Sequence, residues 1–534
     1  MTADLAVAPL VVVALAGVVT LALGFRPRIQ RWTSFLGTVV YAATVAALAD
    51  TVVFESGGGT LTYQLGGWQA PYGITLVADA LAVFMLAITA VVAVYAVLFS
   101  VLFIDPVNQR TYYHPLVQFL LLGATGAFLT GDLFNLFVWF EVMLMASYVF
   151  VSFYGNDTHT AAAMRYVVLN TAGGVLMLLA IGGLYATLGT LNMAEMAAQL
   201  ADPDAGVETA PVVGLSGLLL ATFALKAGLA PFQFWVPSAY RAAPLPVVAI
   251  FAGATKKVGI YAIVRLYFTV LGGSAMTADV PRVPVETAPL AFLAPVLLVM
   301  AVCSILVGGL GAVAQARLDG LLAYSSIGQV GFIAVPLALA AGTTSASLRH
   351  LGVLAALVYA LHHALTKGLL FLSAAAIRDG TGTTRIADLG GIGKQSSTFA
   401  GVFFVGGLSL VGIPPLAGFF GKLFVFNAAA TQFAQAPTAG AAAVLVVLVV
   451  GACLTIVYST RAWVGSFWGS QSETVAAGRL ERPQIAVLVT MAALVVVVGV
   501  GFEPVYVFAD SAAEAALDGE GYVEAVDPGG GDHE

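Results

Sequence analysis

The sequence predicts an all-α, polytopic membrane protein of about fourteen transmembrane helices, two of them broken. Three observations carry that prediction. Of 534 residues, 60% are hydrophobic and only 9% are charged, where soluble domains carry roughly 25% charge. Apolar runs of about 20 residues, long enough to cross a bilayer as helices, recur from one end of the chain to the other. The runs are continuous and do not alternate, which excludes a transmembrane β-barrel.

Taken in order, the spans are expected near 5–24, 33–53, 77–103, 113–130, 132–153, 161–189, 211–237, 245–271, 288–312, 319–341, 349–376, 398–430, 438–467 and 484–508. The first does not read as a signal peptide, because Arg26, Arg28 and Arg31 follow it and no basic residue precedes it. Between the second and third spans, Gly57 to Trp68 alternates between flanking glycines and predicts a short external hairpin. It completes an N-terminal block over 1–112. Residues 113–271 and 272–470 then read as two repeats of five spans. The last block, 471–534, holds the final span and an acidic, Gly-rich tail that composition predicts to be disordered. The loop at 376–398 is expected to form a short surface helix.

The division into halves rests on two interrupted spans. One contains Lys226, Gly228, Pro231 and Pro237; the other contains Gly412, Pro414, Pro415, Gly418, Gly421 and Lys422. Proline removes a backbone donor and frees carbonyls, which membrane helices tolerate only where protein or water satisfies them. A matched pair of such breaks, one per half, points to internal repeats with an ion site at each.

Charge sets the orientation. Loops on one side hold Arg26, Arg28, Arg31, Arg110, Arg241, Arg317, Arg378, Arg385, Lys394, Arg479 and Arg482; the other side holds only Arg282 and Arg349, beside Asp202, Asp204, Glu208, Asp279 and Glu286. The positive-inside rule therefore predicts that both termini are external. Cys303 and Cys453 fall in apolar spans and are expected as small buried side chains.

The chemistry lies in the ionisable residues inside the spans. Glu141 interrupts an almost wholly apolar run, where an ionised group costs about 2.5–3.5 kcal/mol on insertion scales. Five of the six lysines fall in predicted spans: Lys226, Lys256, Lys257, Lys367 and Lys422. Arginine stays protonated and anchors, whereas a desolvated lysine can give up its proton. A line of buried lysines can therefore take up and release protons. Glu141 and Lys226 are the natural acid–base pair, charged together and neutral when separated. Lys256 and Lys257 point about 100° apart on a regular helix and are not expected to share one path. His362, His363 and Lys367 lie on one span, with His363 and Lys367 at i,i+4 on one face, and imidazole suits a proton shuttle. Ser325, Ser326 and Gln329 add polar groups to the preceding span. Asp79 and Asp132 stand at span ends and read as solvated or capping residues. No nucleotide-binding loop, cofactor box or metal-ligand cluster is apparent, so no cofactor and no metal is expected.

At these residues the chain resembles the antiporter-like subunits shared by respiratory complex I, membrane-bound hydrogenases and Mrp-type sodium/proton antiporters. The resemblance covers roughly 75–470. It rests on the Glu141 span, on Lys226 running into Phe234, Trp235, Val236 and Pro237, on Lys257 to Tyr261, on Leu322 to Gly331, on His362, His363 and Lys367, and on Gly412 to Lys422. Within that family, Gly131 to Leu144 looks most like the D-type subunits of the Mrp group. The resemblance implies fourteen helices in two inverted five-helix repeats. It also implies a proton path over Glu141, Lys226, Lys257, His362 or His363, and Lys422, with Lys256, Lys367, Ser326 and Gln329 beside it. The implied function is a proton-translocating subunit of a multisubunit Na+/H+ antiporter in the plasma membrane. Its implied partners are other membrane subunits, the lipid bilayer, protons and, as a second ion, Na+; nucleic acid is not among them. The alternative is a proton-pumping module of a redox complex. A stand-alone solute carrier would need a substrate pocket, and none is legible. No cage of membrane carboxylates and hydroxyls for Na+ is visible either.

Overall fold

The computed structural model describes residues 2–55, 59–109, 112–273 and 290–527. Arg110, Arg282, Asp279, Glu286, Gly57, Gly58 and the last residues of the tail lie outside them. Among the described residues, twelve helices are long and apolar enough to cross a membrane, and Tyr113–Leu129 and Ser397–Val411 are apolar but shorter. The expected total of about fourteen counts those two as well.

The chain starts with α1 (Thr2–Ala22) and α2 (Pro27–Ala49), which packs on α3 (Ala80–Phe103). The expected hairpin is present as β1 (Leu61–Gln64) paired antiparallel with β2 (Thr75–Ala78), Leu61 opposite Ala78. It starts later and reaches further than the alternation suggests, because β2 belongs to the segment expected to open the third span. Asp79 then caps α3 by accepting from Ala82 N at 2.9 Å.

Next come α4 (Tyr113–Leu129), α5 (Leu133–Val151) and α6 (Asp157–Leu188). The first broken element is α7 (Thr209–Ala227) followed by α8 (Trp235–Ala242). After it, α9 (Leu245–Val270) is wholly buried and contains two wide π turns, Phe251–Thr255 and Val264–Val270. The second half holds α10 (Leu293–Ala314), α11 (Leu318–Ala341) and α12 (Ala346–Thr381). Its broken element is α13 (Ser397–Val411) followed by α14 (Ala417–Gln435); α15 (Ala439–Phe467) and α16 (Arg482–Val500) close the bundle. The loop before α13 contains the expected short helix, Ile392–Gln395.

Two expectations from the sequence need correction. The tail is helical over α17 (Glu503–Leu517) and α18 (Gly519–Val526) instead of disordered. Its acidic residues mislead, because small residues between them form a packing face: Ala509, Ala512, Ala513 and Ala516 are fully buried. Cys303 and Cys453 are exposed and not buried. In a bilayer the outer surface is apolar, so a small apolar side chain has no reason to turn inward.

The most enclosed helices are α9, α11 and α12, and they form the core that carries most of the buried charged and histidine side chains. The outer surface is lined by exposed apolar side chains such as Leu15, Val168, Leu179, Val299 and Val446, as a lipid-facing surface requires.

Candidate functional site

Each helix break positions a lysine and satisfies its own backbone. At the first, α7 ends at Gly228, whose φ of 72° lies in the left-handed region that favours glycine. The carbonyl of Leu225 accepts from Trp235 Nε1 at 2.8 Å, and Ala230 N donates to Ser304 Oγ at 2.8 Å. Lys226 sits in the last turn of α7, 1% exposed. At the second, α13 ends at Gly412, with φ of 92°. Lys422 reaches back from α14 and donates to the carbonyl of Val411 at 2.6 Å. The freed carbonyl thus finds its partner in the lysine itself.

Glu141 and Lys226, expected as an acid–base pair, make no direct hydrogen bond. Lys226 Nζ is buried without a hydrogen-bond partner and lies 5.6 Å over the ring of Phe140. Glu141 is half-buried and turns Oε1 towards Gly174 of α6, so closely that a Cβ there would come within 2.6 Å. Acid and base occupy one neighbourhood without a closed ion pair.

The two lysines of α9 converge, contrary to expectation. Lys257 Nζ donates to Ala252 O at 2.8 Å and meets Nδ1 of His363. Lys256 Nζ contacts Ser326 Oγ at 3.5 Å, and Ser326 lies 3.2 Å from Nε2 of the same imidazole. The 100° divergence of the two side chains is real, but His363 fits between them and Ser326 spans the far side. Lys256 also packs against the first break, where a Cβ on Gly228 would stand 2.9 Å from its Nζ. Its amine faces the rings of Trp235 and Tyr240, at 6.0 and 5.6 Å.

Lys367 lies on the same side of α12 as His363, as its spacing predicts, but bonds elsewhere. Its amine donates to Ser325 Oγ at 2.7 Å and to Leu322 O at 3.2 Å. Ser325 donates to the hydroxyl of Tyr458 at 2.7 Å, which Gln329 Nε2 also reaches at 3.0 Å, and Tyr359 donates to Gln329 Oε1. His362 faces the second break. Its Nδ1 lies 3.1 Å from Thr366 Oγ1, which is 2.9 Å from Ser409 Oγ, and its Nε2 is buried with no hydrogen-bond partner.

The arrangement is a row of hydrogen-bonded clusters threading the protein interior. Titratable side chains lie among hydroxyls, and Ser325–Ser326 and His362–His363 place neighbouring clusters on adjacent residues. Arginine is kept out of the row.

One polar centre escapes the sequence. Arg265 of α9 is buried and pairs with Asp79, at 2.6 Å; it also reaches Tyr261 OH at 3.2 Å, and Tyr522 of the tail lies over its guanidinium at 4.7 Å. Asp79 therefore does more than cap. Lys257, Tyr261 and Arg265 recur every four residues, the signal that places all three on one face. Asp132 is as expected: it caps α5, accepting from Asn135 N at 2.6 Å.

Comparison with known proteins adds four findings. Residues 130–455 match the family described as NADH:quinone oxidoreductase/Mrp antiporter. The chain is 34% identical to the D-type subunit of the Na(+)/H(+) antiporter of Alkalihalophilus pseudofirmus, over 88% of each chain. It is 35% identical to the N-type subunit of the NADH-quinone oxidoreductase of Desulforudis audaxviator, over 83% of this chain and 82% of the other. Among solved structures, it superposes on a chain of the Mrp complex from Dietzia sp. with a TM-score of 0.83 and 27% identity, over 98% of this chain and 99% of that one.

Proposed function

The chain belongs to the NADH:quinone oxidoreductase/Mrp antiporter family, and on that premise we propose that it is the proton-translocating subunit of a multisubunit Na+/H+ antiporter in the plasma membrane. The observation that carries this reading is His363, an imidazole buried in the bundle with Lys257 at one nitrogen and Ser326, backed by Lys256, at the other. Such a group passes a proton by accepting on one side and releasing on the other. Glu141 and Lys226 load the row at the first break, and Lys422 releases at the second. Lys367, with Ser325 and Gln329, sets the charge against which His363 works. Sodium is assigned to a partner subunit, since the row is mostly amines, imidazoles and hydroxyls and does not gather the oxygen cage a hard cation needs. Both termini are external in this reading.

The same row would serve a redox-driven proton pump, which the likeness to an N-type oxidoreductase subunit favours. The fuller match to a D-type antiporter subunit supports the antiporter reading. The test is transport by the assembled complex in vesicles from cells lacking their own antiporters. Glu141→Ala and Lys226→Ala should each abolish Na+-driven proton movement while the chain still inserts and assembles. Wild-type rates in either variant would remove the loading step, and co-purification with quinone- or iron–sulfur-binding subunits would replace the antiporter with the pump.

A further inference from the structure

Outside the buried row and the Arg265–Asp79 centre, a further set of ionisable side chains converges among the described residues, at the end of the molecule that carries the β1–β2 hairpin and the tail. His350 lies near the start of α12, and Asp510 and Glu514 stand one turn apart on α17, so that both carboxylates share one face. His350 Nε2 and Asp510 Oδ1 are 3.4 Å apart. Both atoms are shielded from solvent, and neither makes a hydrogen bond. Together with a carboxylate oxygen of Glu514, the three donor atoms lie within 4.8 Å of one another. The helix presenting the carboxylates is firmly seated. Phe508 packs edge-on to Phe84 at 5.1 Å and to Phe54 at 5.8 Å, and Thr269 donates to the carbonyl of Ala516 at 2.9 Å.

We propose that His350, Asp510 and Glu514 form a binding site for a divalent transition-metal ion, with Zn2+ the best match to the donors. Carboxylates alone would suit Ca2+ or Mg2+, but an imidazole in the set moves the preference to a borderline metal. Ligands at about 2.0–2.1 Å from a tetrahedral zinc stand roughly 3.3 Å from each other, close to the separation of the His350 and Asp510 donors. Glu514 is exposed, so the site is reached from solvent, which completes the coordination. The ligands come from sequence positions 350, 510 and 514, a separation that hides them from any reading of local motifs. A bound ion cross-links the tail to α12, the helix that carries His362, His363 and Lys367.

The experiment uses the full-length chain, purified with the subunits that accompany it and stripped with chelator. Zn2+ binding is measured by equilibrium dialysis, and Co2+ is added separately as a spectroscopic substitute. The wild type should bind one more Zn2+ per chain than His350→Ala or Asp510→Asn, and its Co2+ form should show a visible d–d absorption that both variants lack. Glu514→Gln, at an exposed position, should weaken binding without disturbing assembly and so decides the matter if either of the other two variants misassembles. Equal Zn2+ stoichiometry in wild type and variants, with no d–d band, would overturn the proposal and leave His350 and Asp510 as an ordinary surface ion pair.

Discussion

Lys226 and Lys422 flank their helix breaks from opposite sides, and their surroundings give them different tasks. Lys226 precedes its break and has no hydrogen-bond partner for its amine, whereas Lys422 follows its break and holds the carbonyl of Val411. In the proposed path Lys422 gives up its proton, which a guanidinium cannot do. Lys422→Arg is therefore expected to keep the charge and the backbone contact yet block proton movement. Lys422→Glu exchanges protons and should retain part of it. A pH-gradient assay on assembled complex checks both, and an arginine variant that transports like wild type would make Lys422 a structural charge. At this scale the sequence marked the ionisable residues inside the spans and hid how they meet. The lysines stood out because charge inside an apolar run is costly. The link through Ser326 and His363 joins three helices, and the Arg265–Asp79 pair joins residues 186 positions apart; neither leaves a local trace.

The two broken elements were legible because glycine and proline in mid-span have few other uses in a membrane helix. The closeness of packing at the breaks was not. Gly418 sits so tightly against α13 that a Cβ would lie 1.7 Å from the carbonyl oxygen of Ser409 and 2.6 Å from Cε1 of His362. Gly418→Ala must push the half-helices apart, and overpacking of this kind costs roughly 1–3 kcal/mol. The expected result is a lower Tm for the purified protein and weakened transport, because His362 moves with the break. Gly401→Ala, where a Cβ meets nothing within 4 Å, is the control and should leave Tm unchanged. An unchanged Tm in Gly418→Ala would contradict this packing. The π turns of α9 were equally hidden, since hydropathy follows burial and α9 is buried on all sides. The tail shows the opposite failure: its charges and glycines suggested disorder, while alanines spaced at three and four residues made a docking face.

For the whole molecule, the broad class followed from composition alone, and the ends of the bundle can be told apart. The N-terminal helix packs on β1, and Gln64 of that strand reaches the carbonyl of Val526 at 3.4 Å, so both termini come to the hairpin end. With the arginine bias, this predicts that a cysteine at the exposed position Glu520, in a Cys303→Ala, Cys453→Ala background, labels from outside intact cells with an impermeant reagent. Labelling only after permeabilisation would reverse the topology. In the proposed path protons pass between the halves through His363. Lys257 and Ser326 take its two nitrogens, and Gln fills a similar volume and forms hydrogen bonds but does not titrate. The direct measurement is proton flux in vesicles carrying the assembled complex, wild type against His363→Gln, with assembly verified by co-purification. The account predicts intact assembly and loss of flux in the variant. Flux at the wild-type rate would contradict it and send the proton path elsewhere.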